Sequence, residues 1–282
     1  MRIGNYHTHM YLCKHAVGTI DEYIDRAINL GYEYIGMSDH GPISDELTVL
    51  LNSRRMSMDE YKNVYLKDLK RCKKKYQGKI VFYKSTEVEY YPEYLSRYQE
   101  FYHDLDYLVL GQHFVKYCNS KNETIENYKS VYDKEFNYDD VERYKELVIE
   151  AMETKLFRIL AHPDIFMLHI PSYDDRIKKI TNDILLSALK NGVAVEVNCN
   201  GIRNLLRKGK DVKDESLYKY PHPAFWDQVR LFKIDHPELE IIVSDDAHNP
   251  EYLNDYATEL TYQFVEKHQL DIVEKLDLKR SK

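Results

Sequence analysis

Residues 3–9, with the sequence IGNYHTH, form a short strand-like segment that ends in two histidines. Successive side chains of a strand point to opposite faces, so His7 and His9 lie on the same face and can bind one ion. An H-x-H pair is also typical of an exposed strand that carries two solvated imidazoles. The distinction depends on whether further ligand residues follow at equivalent places in the chain.

Six more strand-like runs follow, each succeeded by a longer polar and amphipathic segment. They cover residues 34–40, 79–87, 107–113, 158–162, 193–198 and 241–248. Alternation of strands and helices favours a parallel sheet with helical crossovers. Seven repeats without a Pro/Gly/Ser-rich linker favour closure into one α/β barrel domain over residues 1–282, while periodicity alone is also compatible with an open doubly wound sheet.

The segments between the runs predict helices. The first follows Thr19, a predicted N-cap with Glu22 three residues later, and ends at Gly31. The other predicted helices cover residues 59–76, 138–154, 175–191, 223–235 and 251–268.

Six of the seven runs end in histidine or a carboxylate. These residues are His7 and His9, His40, Glu87, His113, His162, and Asp246 with His248. The active site of a parallel α/β barrel is built at the carboxyl ends of its strands, so these side chains are expected to converge. Imidazole and carboxylate groups are suitable ligands for zinc, manganese or iron(II). The pattern therefore predicts a metal site, with His15 in the first loop as a further ligand.

Some positions leave alternatives open. Glu89 lies on the same strand face as Glu87, and Asp245 directly precedes Asp246. Cys13 lies between two predicted ligands, where a small buried loop residue is the more typical interpretation.

Composition excludes other classes of protein. The 282 residues carry a net charge of −7, which argues against non-specific nucleic-acid binding because that needs an excess of cations. No run of about 18 apolar residues and no signal-peptide pattern is present, so we expect no membrane span and a cytoplasmic location. The four cysteines (Cys13, Cys72, Cys118 and Cys199) lack C-x-x-C spacing and are expected to be reduced.

Seven motifs follow one another along the chain: NYHTHMYLCKH, IGMSDHGP, STEVEYYPEY, LDYLVLGQHF, LAHPDIF, VEVNCNGIR and VSDDAHNPE. Their order resembles the polymerase and histidinol phosphatase (PHP) superfamily of metal-dependent phosphoesterases. Chain length, LDYLVLGQHF and the GIRN…YPHPAFW stretch are most similar to the histidinol-phosphatase branch.

The resemblance implies a distorted seven-stranded (β/α) barrel with three divalent metal ions. One ion would be held by His7, His9, Glu87 and Asp246, a second by Glu87, His113 and His162, and a third by His15, His40 and His248. The family pattern selects Glu87 over Glu89 and Asp246 over Asp245.

The resemblance also implies residues that act on a small phosphate ester. Arg203 lies where a phosphate-binding arginine is expected, and the catalytic set would be Asp246, Arg203 and Glu87. The residues directly after the HPD motif (162–164) read IFMLHI and contain no arginine, so Arg207, Arg176 and Lys116 are alternatives for a second cation. The leaving group would take a proton from Asp246, Asp164 or water.

The segment 201–223 is interpreted either as a lid that closes near Tyr218, Tyr220 and His222 or as a plain surface loop. A lid would let Arg207 and His222 contact the substrate.

The implied activity is hydrolysis of L-histidinol phosphate to L-histidinol and phosphate, as in histidine biosynthesis, without a covalent phospho-enzyme. Two alternatives stay open: a phosphoesterase for a nucleotide or sugar phosphate, and a non-catalytic metal-binding module.

Overall fold

Mostly parallel strands alternate with helices along the chain in the computed structural model, which describes residues 2–117 and 124–278. The strands are β1 (Gly4–Asn5), β2 (Tyr34–Met37), β3 (Val81–Lys84), β4 (Glu87–Val88), β5 (Val109–Leu110), β6 (Phe114–Lys116), β7 (Tyr128–Ser130), β8 (Ile159–Leu160), β9 (Ala194–Asn198) and β10 (Ile241–Ser244). The helices are α1 (Ile20–Asn29), α2 (Asp45–Leu50), α3 (Met58–Glu60), α4 (Leu66–Lys75), α5 (Leu95–Asp104), α6 (Tyr138–Glu153), α7 (Asp175–Asn191), α8 (Asn200–Arg207), α9 (Pro223–Asp235) and α10 (Tyr256–Lys267).

Two parallel sheets contain all of the predicted strand runs. One sheet has the order β1-β2-β3 and the other has the order β10-β9-β8-β5-β4. Isolated parallel bridges connect the two sheets, from Thr8 to Ala247 and from His40 to Glu87. The predicted α/β class with parallel strands is therefore confirmed.

The sheets differ from the sequence prediction in two details. The predicted run 79–87 is divided into β3 and β4, which belong to different sheets. An antiparallel hairpin of β6 and β7 was not predicted, and it follows directly after His113. Its pairing joins segments on either side of residues 118–123, so no local periodicity in the sequence indicates it.

The predicted beginning and end of α1 are confirmed. The Thr19 side chain accepts a hydrogen bond from the Glu22 amide at 3.4 Å, and the Glu22 carboxylate accepts one from the Thr19 amide at 2.7 Å. This reciprocal capping satisfies two amides that the first turn leaves unpaired. Gly31 has a φ of +75°, a conformation that glycine adopts without steric cost.

Two predicted helices are more complex than their periodicity indicates. Between α3 and α4 the chain forms a π-helical turn at Tyr61–Tyr65, which buries both of these tyrosines. The segment predicted as one helix over residues 251–268 begins with a 3₁₀ turn at Pro250–Tyr252, and α10 starts only after its N-cap, Asp255.

Buried tyrosines connect the core to the loops at the strand ends. The Tyr65 hydroxyl donates to the Ser85 carbonyl at 2.7 Å and accepts from the Asp39 amide at 3.1 Å. The Tyr23 hydroxyl donates to the Ala247 carbonyl at 3.0 Å. A buried phenol needs such a partner, and these partners lie beside His40 and His248. The core therefore fixes the loops that carry the predicted ligands.

The described cysteines are buried free thiols: Cys13, Cys72 and Cys199. Cys118 lies outside the described residues. Within the described ranges, no helix is long and apolar enough to cross a bilayer.

Candidate metal centre

The carboxyl ends of the parallel strands gather the predicted ligands around one cavity of about 410 Å³. Seven of them line this cavity: His15, His40, Glu87, His113, His162, Asp246 and His248. The other two, His7 and His9, are fully buried and contact the carboxylates of that lining. The pattern of strand ends therefore corresponds to one cluster in space.

The deep half of the cluster consists of His7, His9, Glu87 and Asp246. The Nε2 atoms of His7 and His9 lie 3.0 Å apart. His9 Nε2 also lies 3.0 Å from Asp246 Oδ1, and His7 Nε2 lies 3.4 Å from Glu87 Oε2. These donor atoms converge as the ligands of a single ion would.

Glu87 also faces a second group of ligands, which we call the side pair, His113 and His162. Its Oε1 atom lies 3.2 Å from His162 Nε2, and ligand atoms from these three residues lie within 4.8 Å of one another. A Cβ on Gly111 would lie 1.8 Å from Glu87 Oε1. Gly111, which has no Cβ, therefore leaves room for the Glu87 carboxylate between the deep half and the side pair.

The outer half consists of His15, His40 and His248. His15 Nδ1 lies 2.8 Å from the Cys13 carbonyl oxygen, and His248 Nδ1 lies 3.0 Å from the Asp246 carbonyl oxygen. Because a carbonyl only accepts, both Nδ1 atoms carry hydrogen, and a neutral imidazole then has its lone pair on Nε2.

These two Nε2 atoms lie 3.1 Å apart. Two lone pairs at that distance repel each other unless a cation lies between them. The His15 and His248 pair of the outer half therefore fits a divalent ion.

Neighbouring carboxylates orient the imidazoles of the deep half and the side pair. Glu196 Oε2 accepts from His7 Nδ1 at 2.9 Å, and Glu89 Oε1 accepts from His113 Nδ1 at 2.9 Å. Asp39 Oδ1 lies 3.4 Å from His9 Nδ1. A carboxylate behind a ligand histidine fixes its tautomer and raises its basicity. Glu89, the alternative to Glu87, thus contacts a ligand instead of the centre.

Glu196 was missed in the sequence analysis. It is fully buried on β9, where it also accepts a hydrogen bond from the Asn198 amide group at 2.7 Å. The available signal was a charged residue inside an apolar run, because a fully buried glutamate requires a partner.

Asp245 and Asp246 have different surroundings. The Asp246 carboxylate faces the ligand cluster, whereas the Asp245 carboxylate accepts from Arg2 Nη1 at 2.6 Å and from the Thr258 hydroxyl at 2.5 Å. Asp246 has a φ of +48°, in the left-handed region that non-glycine residues seldom adopt. This conformation turns the second aspartate of the pair into the cluster.

The pKa values of His9 in the deep half and His248 in the outer half shift in opposite directions. Burial alone lowers the pKa of His9, but hydrogen bonds to Asp246 and Asp39 raise it to about 9. In the outer half, burial and the neighbouring His9 lower the pKa of His248 to about 3. Burial likewise lowers the pKa of His40 well below its ordinary value. Imidazole neighbours outweigh burial at Glu87 and hold its pKa well below the ordinary value.

Arg203, predicted to bind phosphate, does not line the cavity. Its side chain is 3% exposed and donates to the Asp255 carboxylate at 2.8 and 3.1 Å. It also donates to the Asp245 carbonyl at 2.7 Å. Its donors are occupied because α8 presents this side to α10. Arg203 is thus a buried link behind Asp246 and lies outside the lining of the cavity.

The other residues predicted to contact the substrate differ in whether they line the cavity. Arg207 lines the cavity and donates to the Tyr252 hydroxyl at 2.6 Å. His222 does not line it, and its ring stacks on Tyr173 with centroids 5.7 Å apart. Arg176 pairs with Asp139 at 2.8 Å and Lys116 with Glu93 at 2.5 Å, so neither alternative cation lies in the cavity lining.

Asp164 holds the segment that was interpreted as a lid or a loop. Its carboxylate accepts from the His222 amide at 2.6 Å and from the Trp226 indole at 2.9 Å. Burial raises the pKa of Asp164 to about 7. The segment 201–223 begins within α8 and packs Tyr218 and Tyr220 inward, with Tyr220 in the cavity wall.

Comparison with known proteins agrees with this fold. The family model of the PHP domain matches residues 5–200, and the chain therefore belongs to the PHP domain family. No curated protein matches the sequence.

Two solved structures share the fold over nearly the whole chain. One is hisK from Listeria monocytogenes, assigned as a histidinol phosphatase, with 17% identity and a TM-score of 0.66 over 91% of this chain and 99% of that chain. The other is histidinol phosphate phosphatase from Lactococcus lactis, in complex with zinc, L-histidinol and phosphate. It has 14% identity and a TM-score of 0.65, over 96% of this chain and 95% of that chain.

Proposed function

We propose that this protein is a metal-dependent phosphatase that hydrolyses L-histidinol phosphate to L-histidinol and phosphate. The observation that carries the proposal is the convergence of nine histidine and carboxylate side chains on one cavity in a PHP domain. The Lactococcus lactis protein of similar fold, which binds zinc, L-histidinol and phosphate, supports the choice of substrate.

Three divalent ions would occupy the cluster. The deep half would hold one ion, Glu87 with the side pair a second, and the outer half a third. Zinc, manganese and iron(II) all suit such mixed ligands. Ions bound there would offset the charge of the phosphoryl oxygens and lower the pKa of water, so that hydrolysis proceeds at neutral pH.

The chain's own residues would orient the ester and exclude bulk water. Tyr220 and Tyr252 provide aromatic walls, and Asn200 and Asn204 provide amide groups in the same cavity. An imidazole can stack on such aromatic side chains.

We further propose that the two bridged sheets form the distorted seven-stranded barrel of one domain over residues 1–282. The bridges at Thr8 and His40 would close the barrel where each sheet ends. The buried free thiols are consistent with a reducing compartment, and we place the enzyme in the cytoplasm.

Phosphate release from L-histidinol phosphate tests the proposal. Protein stripped of metal would be reloaded with Zn²⁺, Mn²⁺ or Fe²⁺ and compared with p-nitrophenyl phosphate as a generic ester. We expect metal-dependent turnover with a clear preference for histidinol phosphate, which His9→Ala abolishes. Metal-dependent hydrolysis of generic or sugar and nucleotide esters alone would contradict the substrate, and no hydrolysis with any metal would contradict the activity.

A further inference from the structure

Two arginines lie in the walls of the site without a carboxylate partner among residues 2–117 and 124–278. Arg207 lines the 410 Å³ cavity, which we call the large cavity. Arg54 lines an adjoining cavity of about 230 Å³, which we call the small cavity. The two cavities share four lining residues: His15, His40, His113 and Tyr132. The small cavity therefore opens onto the predicted ligands from a different side.

The loop between α2 and α3 supplies Arg54. Its neighbour Arg55 is 5% exposed and donates to the Ser53 hydroxyl at 2.7 Å. Arg55 Nη2 also lies 3.5 Å from Glu89 Oε1, the oxygen that accepts from His113 Nδ1. Arg55 thus anchors this loop to the carboxylate that orients a predicted ligand. The adjacent Arg54 is exposed at the rim of the small cavity.

The other candidate cations are engaged elsewhere. Arg203 is bound to Asp255, and the residues directly after the HPD motif, IFMLHI, contain no arginine. Arg207 donates to the Tyr252 hydroxyl, and its guanidinium carbon lies 4.9 Å from the centre of that ring. Among the arginines that line the two cavities, Arg54 is therefore the one for which the structure, within residues 2–117 and 124–278, describes no contact.

The two cavities suit different parts of a phosphate ester: one suits the phosphoryl group and the other suits the leaving group. A guanidinium binds phosphoryl oxygens through two parallel N–H···O hydrogen bonds. The leaving group of histidinol phosphate carries an ammonium group. The lining of the large cavity combines one arginine with two carboxylates, whereas that of the small cavity combines two arginines with one carboxylate, so the ammonium group is better placed in the large cavity. The tyrosines and asparagines of the large cavity suit an imidazole with an amine.

We propose that Arg54 binds the phosphoryl group of the substrate at the mouth of the small cavity, while the large cavity holds the leaving group. This inference rests on the proposed phosphatase function and adds a phosphate-binding residue to it.

Binding of inorganic phosphate to zinc-loaded protein tests the proposal without a turnover step. Isothermal titration calorimetry would compare the wild type with Arg54→Ala, Arg54→Lys and Lys70→Ala. The Lys70→Ala control removes the same charge from an exposed residue of α4 that lines another cavity. Zinc content and thermal stability would be measured for every variant.

Arg54→Ala is expected to weaken phosphate binding about 10- to 100-fold, as for loss of a hydrogen-bonded charge pair. Arg54→Lys should recover part of the affinity, because lysine keeps the positive charge but lacks the two parallel N–H donors of the guanidinium. Lys70→Ala should bind phosphate as the wild type does. Unchanged phosphate affinity in Arg54→Ala, with unchanged zinc content, would overturn the proposal.

Hydrolysis of two esters supplies the second readout. Arg54→Ala should lower kcat/KM for L-histidinol phosphate and p-nitrophenyl phosphate by the same factor, because both share the phosphoryl group. Asn204→Ala, in the large cavity, should change the ratio between them. A loss confined to histidinol phosphate in Arg54→Ala would place Arg54 at the leaving group and overturn the proposal.

The two failures are distinguishable. If the wild type does not hydrolyse histidinol phosphate but Arg54→Ala still weakens phosphate binding, the substrate of the proposed function is wrong and the role of Arg54 stands.

Discussion

The deep and outer halves of the cluster use the same residue type in different surroundings. In the deep half, side-chain carboxylates orient the imidazoles and hold the pKa of His9 near 9. In the outer half, main-chain carbonyls orient His15 and His248, and the pKa of His248 falls to about 3. Metal ligands must be deprotonated, so the deep half would exchange protons for a bound metal ion, whereas the imidazoles of the outer half are already neutral at pH 7.

The largest effect should come from the carboxylate that joins the deep half to the side pair. Glu87→Gln keeps the shape of Glu87 but removes the charge that two groups of ligands share. We expect kcat to fall about a thousand-fold or more, because the ions supply several kcal/mol of charge stabilisation. Elemental analysis should show that two ions are lost.

His248→Gln is the matched variant in the outer half. It should cost one ion and leave the deep half loaded. If Glu87→Gln and His248→Gln lost the same number of ions, Glu87 would not be a ligand shared between two ions.

A smaller effect is expected from the carboxylate behind His7. Glu196→Gln should weaken metal binding about 10- to 100-fold, because partners of this kind orient the ligand and raise its basicity. A competition assay with a chelator would measure the change. The partners of His15 and His248 in the outer half are backbone carbonyls, which offer no equivalent variant, whereas His40 Nδ1 lies 2.8 Å from Glu87 Oε2. Unchanged metal affinity in Glu196→Gln would show that burial alone orients the His7 imidazole.

The pH dependence of the metal-free protein should separate the two halves. The raised pKa of His9 contributes stability that is present below pH 6.5 and is lost as the pH rises through about 9. This contribution is at most about 4 kcal/mol at about 1.4 kcal/mol per pKa unit. The lowered pKa of His248 acts oppositely, and stability is lost as the pH falls from 6.5 towards about 3.

Melting curves of chelator-treated protein across this pH range would measure both limbs. His9→Gln should flatten the alkaline limb, and His248→Gln the acidic one. If each variant changed the other limb, the assignment of the two halves would be wrong.

The smallest effect should come from Cys13. Its thiol donates to the Met10 carbonyl at 3.2 Å, and burial raises its pKa above the ordinary value. Cys13→Ala should lower the free energy of unfolding by about 1 kcal/mol and leave the metal content unchanged. Loss of an ion in this variant would add a sulfur ligand to the outer half.

The sequence by itself determined the alternation of strands and helices and the strand-end positions of the predicted ligands. Both depend on local regularities: the period of apolar residues, the Thr19–Glu22 capping pair, and histidine or carboxylate at the end of a run. Parallel topology places those ends together without further information.

Only the tertiary structure decided which polar residues face the cavity. Arg203 is buried against Asp255, Glu196 lies behind His7, and Arg54 reaches the rim from a loop with no periodic pattern. These outcomes depend on pairs of residues separated by up to 189 positions in the chain. A buried charge takes whichever partner the packed elements place within hydrogen-bonding distance, and local sequence does not specify that partner.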